Sequence, residues 1–278
     1  MGREDIQHAL SLINVEGWNY TSEEIERMLN LDPGGSFLYG DKPPLAVVTC
    51  VTYGRTGVIG HLVVSQSARG QKIGRAMLQK AIDYCDSQGV DSILLYATDE
   101  GAMLYEKFGF RTLRRTHCTC ANTTEGAASR NGPVCELVKP DDLEEILEID
   151  SRLFGDDRSK LMRMLLSEYP QHSYKLERDG KIVGFALGRG TSLGFDFGPW
   201  VCLTGDITDA ESLFNATMSS FGAGTVFLGV FTDNPRAMEI ADRMEKIRTW
   251  ETRLMISGKD RYSSHIEHVF GVAAFELG

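Results

Sequence analysis

The stretch Val63-Val64-Ser65-Gln66-Ser67-Ala68-Arg69-Gly70-Gln71-Lys72-Ile73-Gly74-Arg75-Ala76 runs from a β-branched strand through a short polar turn into a helix. The first turn of that helix is rich in glycine and base. The leading backbone N–H groups of a helix lack intrahelical partners and carry the positive end of its dipole, so the segment reads as a phosphate cradle. Gly70, Gly74 and Ala76 allow a ligand to approach the backbone, while Arg69, Lys72 and Arg75 add positive charge. Taken alone, the same residues also suit a plain turn ahead of an amphipathic helix. Dinucleotide and P-loop readings fit poorly, because G-x-G-x-x-G is absent and no Gly-Lys-Ser/Thr follows.

The flanking sequence predicts helices over 5–15 and 21–30, then strands over 35–39, 45–53 and 57–65. A long helix over 71–87 places Ile73, Met77, Leu78, Ala81, Ile82 and Cys85 on one apolar face, and Gly89 ends it. Strand 92–97, a short helix over 101–107 and a strand from Phe110 complete a mixed α/β pattern with interleaved strands and helices.

The pattern recurs. An offset of 137 residues brings Asp142-Leu143-Glu144-Glu145-Ile146-Leu147 onto Asp5-Ile6-Gln7-His8-Ala9-Leu10, and Ser173-Tyr174-Lys175-Leu176 onto Ser36-Phe37-Leu38-Tyr39. A sustained offset of that size implies two duplicated domains rather than a solenoid. The expected division is a first domain over 1–122, a linker over 123–133 within the Gly/Ala/Ser/Asn-rich stretch from Ala121 to Pro133, and a second domain over 134–278. Copy two opens on a strand-like Cys135-Glu136-Leu137-Val138, whereas copy one starts at its helix.

The chain has 278 residues, 42% hydrophobic content and a formal charge of -10. That charge argues against nucleic acid and anionic membrane as partners. No apolar run approaches membrane-spanning length and Met1-Gly2-Arg3-Glu4-Asp5 lacks a signal-peptide core, so a cytoplasmic location is expected. Six scattered cysteines suit reduced thiols. The cluster His117-Cys118-Thr119-Cys120 lacks the paired C-x-x-C spacing of structural zinc sites, and no metal is expected.

Gln71-Lys72-Ile73-Gly74-Arg75-Ala76 matches the Q/R-x-x-G-x-G/A signature of the GCN5-related N-acetyltransferase (GNAT) superfamily, and Leu104-Tyr105-Glu106-Lys107-Phe108-Gly109-Phe110 matches its L-Y-x-x-x-G-F element. The whole chain resembles the tandem type, with a divergent C-terminal copy. Gly17-Trp18-Asn19, Leu153-Phe154-Gly155-Asp156-Asp157-Arg158 and Phe275-Glu276-Leu277-Gly278 resemble further phrases of that group. The implied fold is a pair of domains, each a mostly antiparallel sheet flanked by helices.

The resemblance implies transfer of an acetyl group from acetyl-CoA to a primary amine, of a small molecule or an exposed protein amine, by direct attack. The pantetheine arm would pair with the strand at Leu62, Val63 and Val64, where it splays from its neighbour. The pyrophosphate would sit on Arg69, Gly70, Gln71, Lys72, Ile73, Gly74, Arg75 and Ala76. Tyr105 would protonate the departing thiolate; packing of its helix onto the core is the other reading of that ring. Asp99, given a cofactor-binding place by the resemblance, follows the strand where many members place an asparagine, and so departs from the pattern. The general base stays open: no Asp or Glu occurs from Arg55 through Gln71, and His61 is the one nearby side chain titrating near neutrality. A water chain or a carboxylate from the second copy would serve equally. Trp18, Asn19 and Tyr20 fall in the loop that lines the acceptor site in this superfamily.

Copy two is expected to have lost the chemistry. Gly205-Asp206-Ile207-Thr208-Asp209 is acidic where phosphates need donors, and Ala241 stands where Tyr105 would map. A degenerate CoA-responsive sensor without turnover is the alternative function. A monomer or a homodimer would both suit the sequence.

Overall fold

The computed structural model of the chain describes residues 1–18, 20–123 and 132–278. The chain divides into two compact units. The first comprises Met1–Arg111, Met255–Asp260 and Phe275–Gly278, and the second comprises Thr112–Leu254 and Arg261–Ala274.

The first unit opens with α1 (Ile6–Ile13) and α2 (Ser22–Leu31). Thr21 and Glu24 cap α2 reciprocally, the Thr21 hydroxyl accepting from the Glu24 N–H and the Glu24 carboxylate from the Thr21 N–H. Strands β1 (Ser36–Tyr39), β2 (Ala46–Tyr53) and β3 (Thr56–Val64) follow as an antiparallel meander. Helix α3 (Ile73–Ser87) carries the chain across to β4 (Ser92–Ala97), parallel to β3, and α4 (Asp99–Glu106) follows. The expected start of that short helix at 101 lies two residues late, because the Thr98 hydroxyl accepts from the Gly101 N–H and starts the helix at Asp99.

Strand alternation gives this sheet two faces. Val48, Cys50, Ile59, Ile93, Leu95 and Ala97 pack with α3. Val47 and Val63 pack with α1 and α2 on the other. The expected apolar face of α3 is the observed one: Ile73, Met77, Leu78, Ala81 and Cys85 are all buried there, with Ile82 partly so.

The second unit holds β5 (Arg111–Thr123, from Thr112 onward), β6 (Glu136–Leu137), α5 (Leu143–Phe154) and α6 (Ser159–Glu168). Then come β7 (Ser173–Arg178), β8 (Lys181–Thr191), β9 (Gly194–Cys202), α7 (Ile207–Ser219), β10 (Gly224–Phe231) and α8 (Pro235–Asp242). β11 (Lys246–Gly258) and β12 (Val269–Gly271) end the element order. The β7–β8 hairpin turns on Asp179 and Gly180, both with positive φ. The pair β9–β10 is parallel and its flanking pairs are antiparallel, repeating the β3–β4 arrangement.

The units depart from the expected division. Thr123, expected to open the linker, is the last residue of β5, and residues 124–131 of that linker lie outside the described residues. β5 belongs with the second unit because it pairs along β10, from Thr116↔Phe231 to Thr123↔Gly224. The first unit instead receives Met255–Asp260, with Met255 in its core and the Lys259 N–H bonded to the Asp91 carbonyl. Among the described residues no helix is long and apolar enough to cross a membrane, and no cluster of metal-ligating side chains occurs. Cys118 and Cys120 are buried within β5, where burial pushes the Cys118 thiol up to about 12.

Candidate active site

The β3–β4 ladder pairs Thr56↔Ser92 through Ile59↔Leu95 and then stops. Both strands continue, β3 to Val64 and β4 to Ala97, so they splay apart from Gly60 and Tyr96 onward. The cause lies at His61. On the other side of β3 the register moves from Thr49↔Gly60 to Val47↔Val63, a bulge that sets His61 and Leu62 against Val48. His61 adopts φ 47, which a non-glycine residue rarely takes, and the strand swings away there. The gap exposes strand backbone on β3 opposite strand backbone on β4, a slot for an extended amide-bearing chain. Leu62, Val63 and Val64 form the β3 wall, with Leu62 and Val64 turned toward α3 and Val63 away from it.

The phosphate loop leads from that wall into α3. Gly70 has φ +81 with open space around it, and Lys72, the residue before the helix, has φ 64. No side chain caps α3, and its first turn contains no acid. The first backbone bond of the helix is Ala76 N–H to Lys72 carbonyl, which leaves the N–H groups of Ile73, Gly74 and Arg75 ahead of it for an anion. Gly70, Gln71, Lys72, Arg75 and Ala76 are exposed, Gly74 is half-buried and Ile73 anchors the turn in the core. Arg69 is differently committed: its guanidinium bonds the Val64 carbonyl and pairs with Glu16. It braces the loop. The Arg75 guanidinium lies over the Phe108 ring, 5.4 Å from its centroid.

Tyr105 lies near the end of α4, with its ring against the α3-side core and 6.0 Å from that of Phe110. Burial pushes its phenol up to about 12, so it stays protonated at neutral pH and can donate. Asp99 is exposed in the first turn of α4. A carboxylate there also complements the helix dipole.

A second group gathers on the opposite face of the gap. The His61 ring is buried, with Nδ1 2.9 Å from the Thr49 hydroxyl. The Tyr20 ring meets it edge-on at 4.4 Å and the Trp18 ring at 6.3 Å. Asn14 clamps Tyr20 from both sides, its carboxamide oxygen accepting from the Tyr20 N–H and its amide donating to the Tyr20 carbonyl. Asn19 lies outside the described residues. Three residues of this group went unassigned in the sequence reading: Asn14, Thr49 and Glu276. Glu276, within the Phe275–Gly278 phrase, accepts a 2.9 Å hydrogen bond from the Tyr20 hydroxyl.

The second unit contains the same splay, already filled. β9 and β10 pair through Phe197↔Leu228 and then separate. β12 enters there, pairing antiparallel with Trp200 and Val201 of β9, while the Val272 N–H bonds the Gly229 carbonyl after β10 has left β9. The Asp206 carboxylate accepts from the Thr208 N–H and occupies the α7 N-terminus where α3 leaves its own open. Ala241 is buried in the core, with no group to donate a proton. Arg158 makes a buried two-point pair with Asp150 and stacks over Phe154.

Comparison with known proteins agrees with this geometry. The Acetyltransferase (GNAT) family model matches residues 3–110, and an Acetyltransferase (GNAT) domain model matches residues 146–271. The chain is 25% identical over 208 residues to the uncharacterized N-acetyltransferase YitH of Bacillus subtilis, covering 73% of this chain and 72% of that protein. Its fold is similar to that of a proposed acetyltransferase from Pyrococcus horikoshii, with a TM-score of 0.81, 20% identity, and coverage of 100% of this chain and 94% of that one. A tandem GNAT protein from the clavulanic acid biosynthesis pathway matches with a TM-score of 0.63 and 13% identity, over 92% of this chain and 95% of that one.

Proposed function

Because the chain belongs to the GCN5-related N-acetyltransferase superfamily, as a tandem member with one GNAT copy in each half, we propose that its first unit transfers an acetyl group from acetyl-CoA to a primary amine by direct attack. The observation that carries this reading is the splay of β3 from β4 at Gly60, directly beside an uncapped, acid-free helix N-terminus. The two features suit the two parts of one cofactor: an amide-bearing arm in the slot and a pyrophosphate on the amides of Ile73, Gly74 and Arg75. Unit two supports the fit, since its equivalent slot accepts an extended strand of the chain itself.

Bound acetyl-CoA supplies the activated acyl group; the protein binds, orients and handles protons. A backbone N–H near Val64 would polarise the thioester carbonyl as an oxyanion donor. Tyr105, held protonated by burial, would offer its proton to the departing sulfur. His61, with the rings of Trp18 and Tyr20 against it, would line the acceptor side. The acceptor is a small-molecule amine or an exposed protein amine. Thiol release from acetyl-CoA over a panel of amines, with Tyr105→Phe as control, tests the reading. Tight CoA binding with no turnover on any amine would replace it with a sensor.

A further inference from the structure

We infer that Glu276 is the acceptor-side carboxylate of this site, selecting a cationic primary amine and taking its proton, an assignment that rests on the acyl-CoA reading of the β3–β4 gap. The last paired residues of that ladder are Ile59 and Leu95, both turned toward α3. The next residues, Gly60 and Tyr96, therefore lie on the opposite face, one on each wall of the gap. Phe275 packs its ring 4.8 Å from that of Tyr96. Glu276 crosses Gly60 so closely that a Cβ there would come within 2.7 Å of the Glu276 Cβ and 3.0 Å of its Cα. The dipeptide thus spans the mouth of the gap, from β4 to β3, on the face away from the phosphate loop.

The carboxylate is held there at 6% exposure by the Tyr20 hydroxyl, and Tyr20 is itself fixed by Asn14. A carboxylate in this position offers an incoming ammonium both opposite charge and a charge-assisted hydrogen bond. The Tyr20 ring that holds it also meets His61 edge-on, and the Trp18 ring, 46% exposed, lies on the same imidazole. Aromatic faces beside a carboxylate suit an ammonium on an apolar or aromatic body. The implied substrate class is a small arylalkyl or alkyl primary amine.

The proton count closes. Glu276 takes one proton from R–NH3⁺, and the freed nitrogen lone pair forms the N–C bond at the thioester carbonyl. The C–S bond then breaks, and the sulfur takes the Tyr105 proton. The second nitrogen proton leaves to solvent, from which Tyr105 is reprotonated; Glu276 releases its own proton with product. The products are the amide, CoA thiol and one proton.

The test uses the full chain as wild type, Glu276→Gln, Glu276→Asp and Tyr20→Phe. Calorimetry with acetyl-CoA comes first, and equal affinity is expected in all four. No acetyl-CoA binding by the wild type would sink the acyl-CoA reading of the gap, a failure separate from that of the carboxylate. The CoA-loaded proteins are then titrated with phenethylamine, tyramine and cadaverine, against 2-phenylethanol as the neutral probe, and turnover of the same amines is measured. Wild type should prefer at least one ammonium over the alcohol. Glu276→Gln should bind that amine at least about tenfold more weakly, with kcat/KM down at least about a hundredfold. Glu276→Asp should recover part of the affinity, and Tyr20→Phe should raise KM several-fold with CoA affinity intact. Glu276→Gln within twofold of wild type in amine binding and kcat/KM would overturn the assignment. So would a wild type that binds 2-phenylethanol as well as all three amines. Should Glu276→Gln fail to fold, Glu276→Asp and Tyr20→Phe decide by the same two readouts.

Discussion

The Tyr20 hydroxyl donates to the Glu276 carboxylate at 2.9 Å, joining residues 256 positions apart within one compact unit. Tyr20 is held by two hydrogen bonds to Asn14, so the carboxylate inherits its position from the turn after α1. Asn14→Ala removes the clamp but touches neither the gap nor the phosphate loop. It should raise KM for the amine several-fold, leave the acetyl-CoA dissociation constant within twofold, and cost about 1–2 kcal/mol of stability through two lost hydrogen bonds. Steady-state kinetics with each substrate varied, alongside denaturant unfolding, checks all three.

Tyr105 carries a clear pH expectation. Burial raises its phenol to about 12, above the unfolded value near 10, so the folded state favours the protonated form. Its contribution to stability is complete below about pH 10 and is lost as pH rises through about 12. The kcat profile should therefore show no loss from this group below about pH 11, and ultraviolet titration of wild type against Tyr105→Phe should show that the phenol removed is one that ionises late. Tyr105→Phe keeps the ring in the core and should lower kcat by about 10²–10⁴-fold with acetyl-CoA affinity unchanged.

The open N-terminus of α3 and the closed one of α7 make opposite expectations. Lys72→Asp places a negative charge beside the N–H groups of Ile73, Gly74 and Arg75, and should weaken acetyl-CoA binding by about tenfold to a hundredfold. Asp206→Ala removes the cap of α7 and should cost about 1 kcal/mol of stability while leaving acetyl-CoA affinity unchanged. Calorimetry on the wild type should return one acetyl-CoA per chain, because β12 already fills the β9–β10 splay. Two equivalent sites would contradict that assignment.

The fold was legible where the signal was local. Val63 to Ala76 announced a strand, a turn and a helix start, and the 137-residue offset announced two copies of one plan. The apolar face of α3 followed from 3.6-residue periodicity, and all of its expected members pack inward. What failed was pairing at long range. β5 has the composition of a closing strand for the first copy, yet its ladder runs with β10, and Met255–Asp260 takes a place in the first unit instead. Strand partners are set by non-local packing that a single sequence does not encode in any window. Glu276 was hidden for the same reason. Its phrase stood out in the sequence and a carboxylate from the second copy stayed open as the base, but no local signal marks which acid arrives beside β3, here one 215 residues further on than His61.

The pair Arg158–Asp150 gives the last expectation. Arg158 closes the family-like phrase Leu153-Phe154-Gly155-Asp156-Asp157-Arg158, and the structure commits it to a buried ion pair with Asp150. Its guanidinium meets both Asp150 oxygens at 2.8 Å, with side-chain exposures of 6% and 3%, and lies 4.3 Å from the Phe154 ring centroid. Removing one member of a buried pair strands the other charge, which costs about 3–5 kcal/mol. Arg158→Ala should therefore destabilise the second unit by about that much, measured by denaturant unfolding. A joint Arg158→Met, Asp150→Leu replacement leaves no stranded charge and should recover most of the loss. Acetyl-CoA affinity and kcat of the folded fraction should stay at wild-type values in both variants, since every residue assigned to the reaction lies in the first unit. A fall in kcat for the double variant, with the fold intact, would instead give this pair a part in the chemistry.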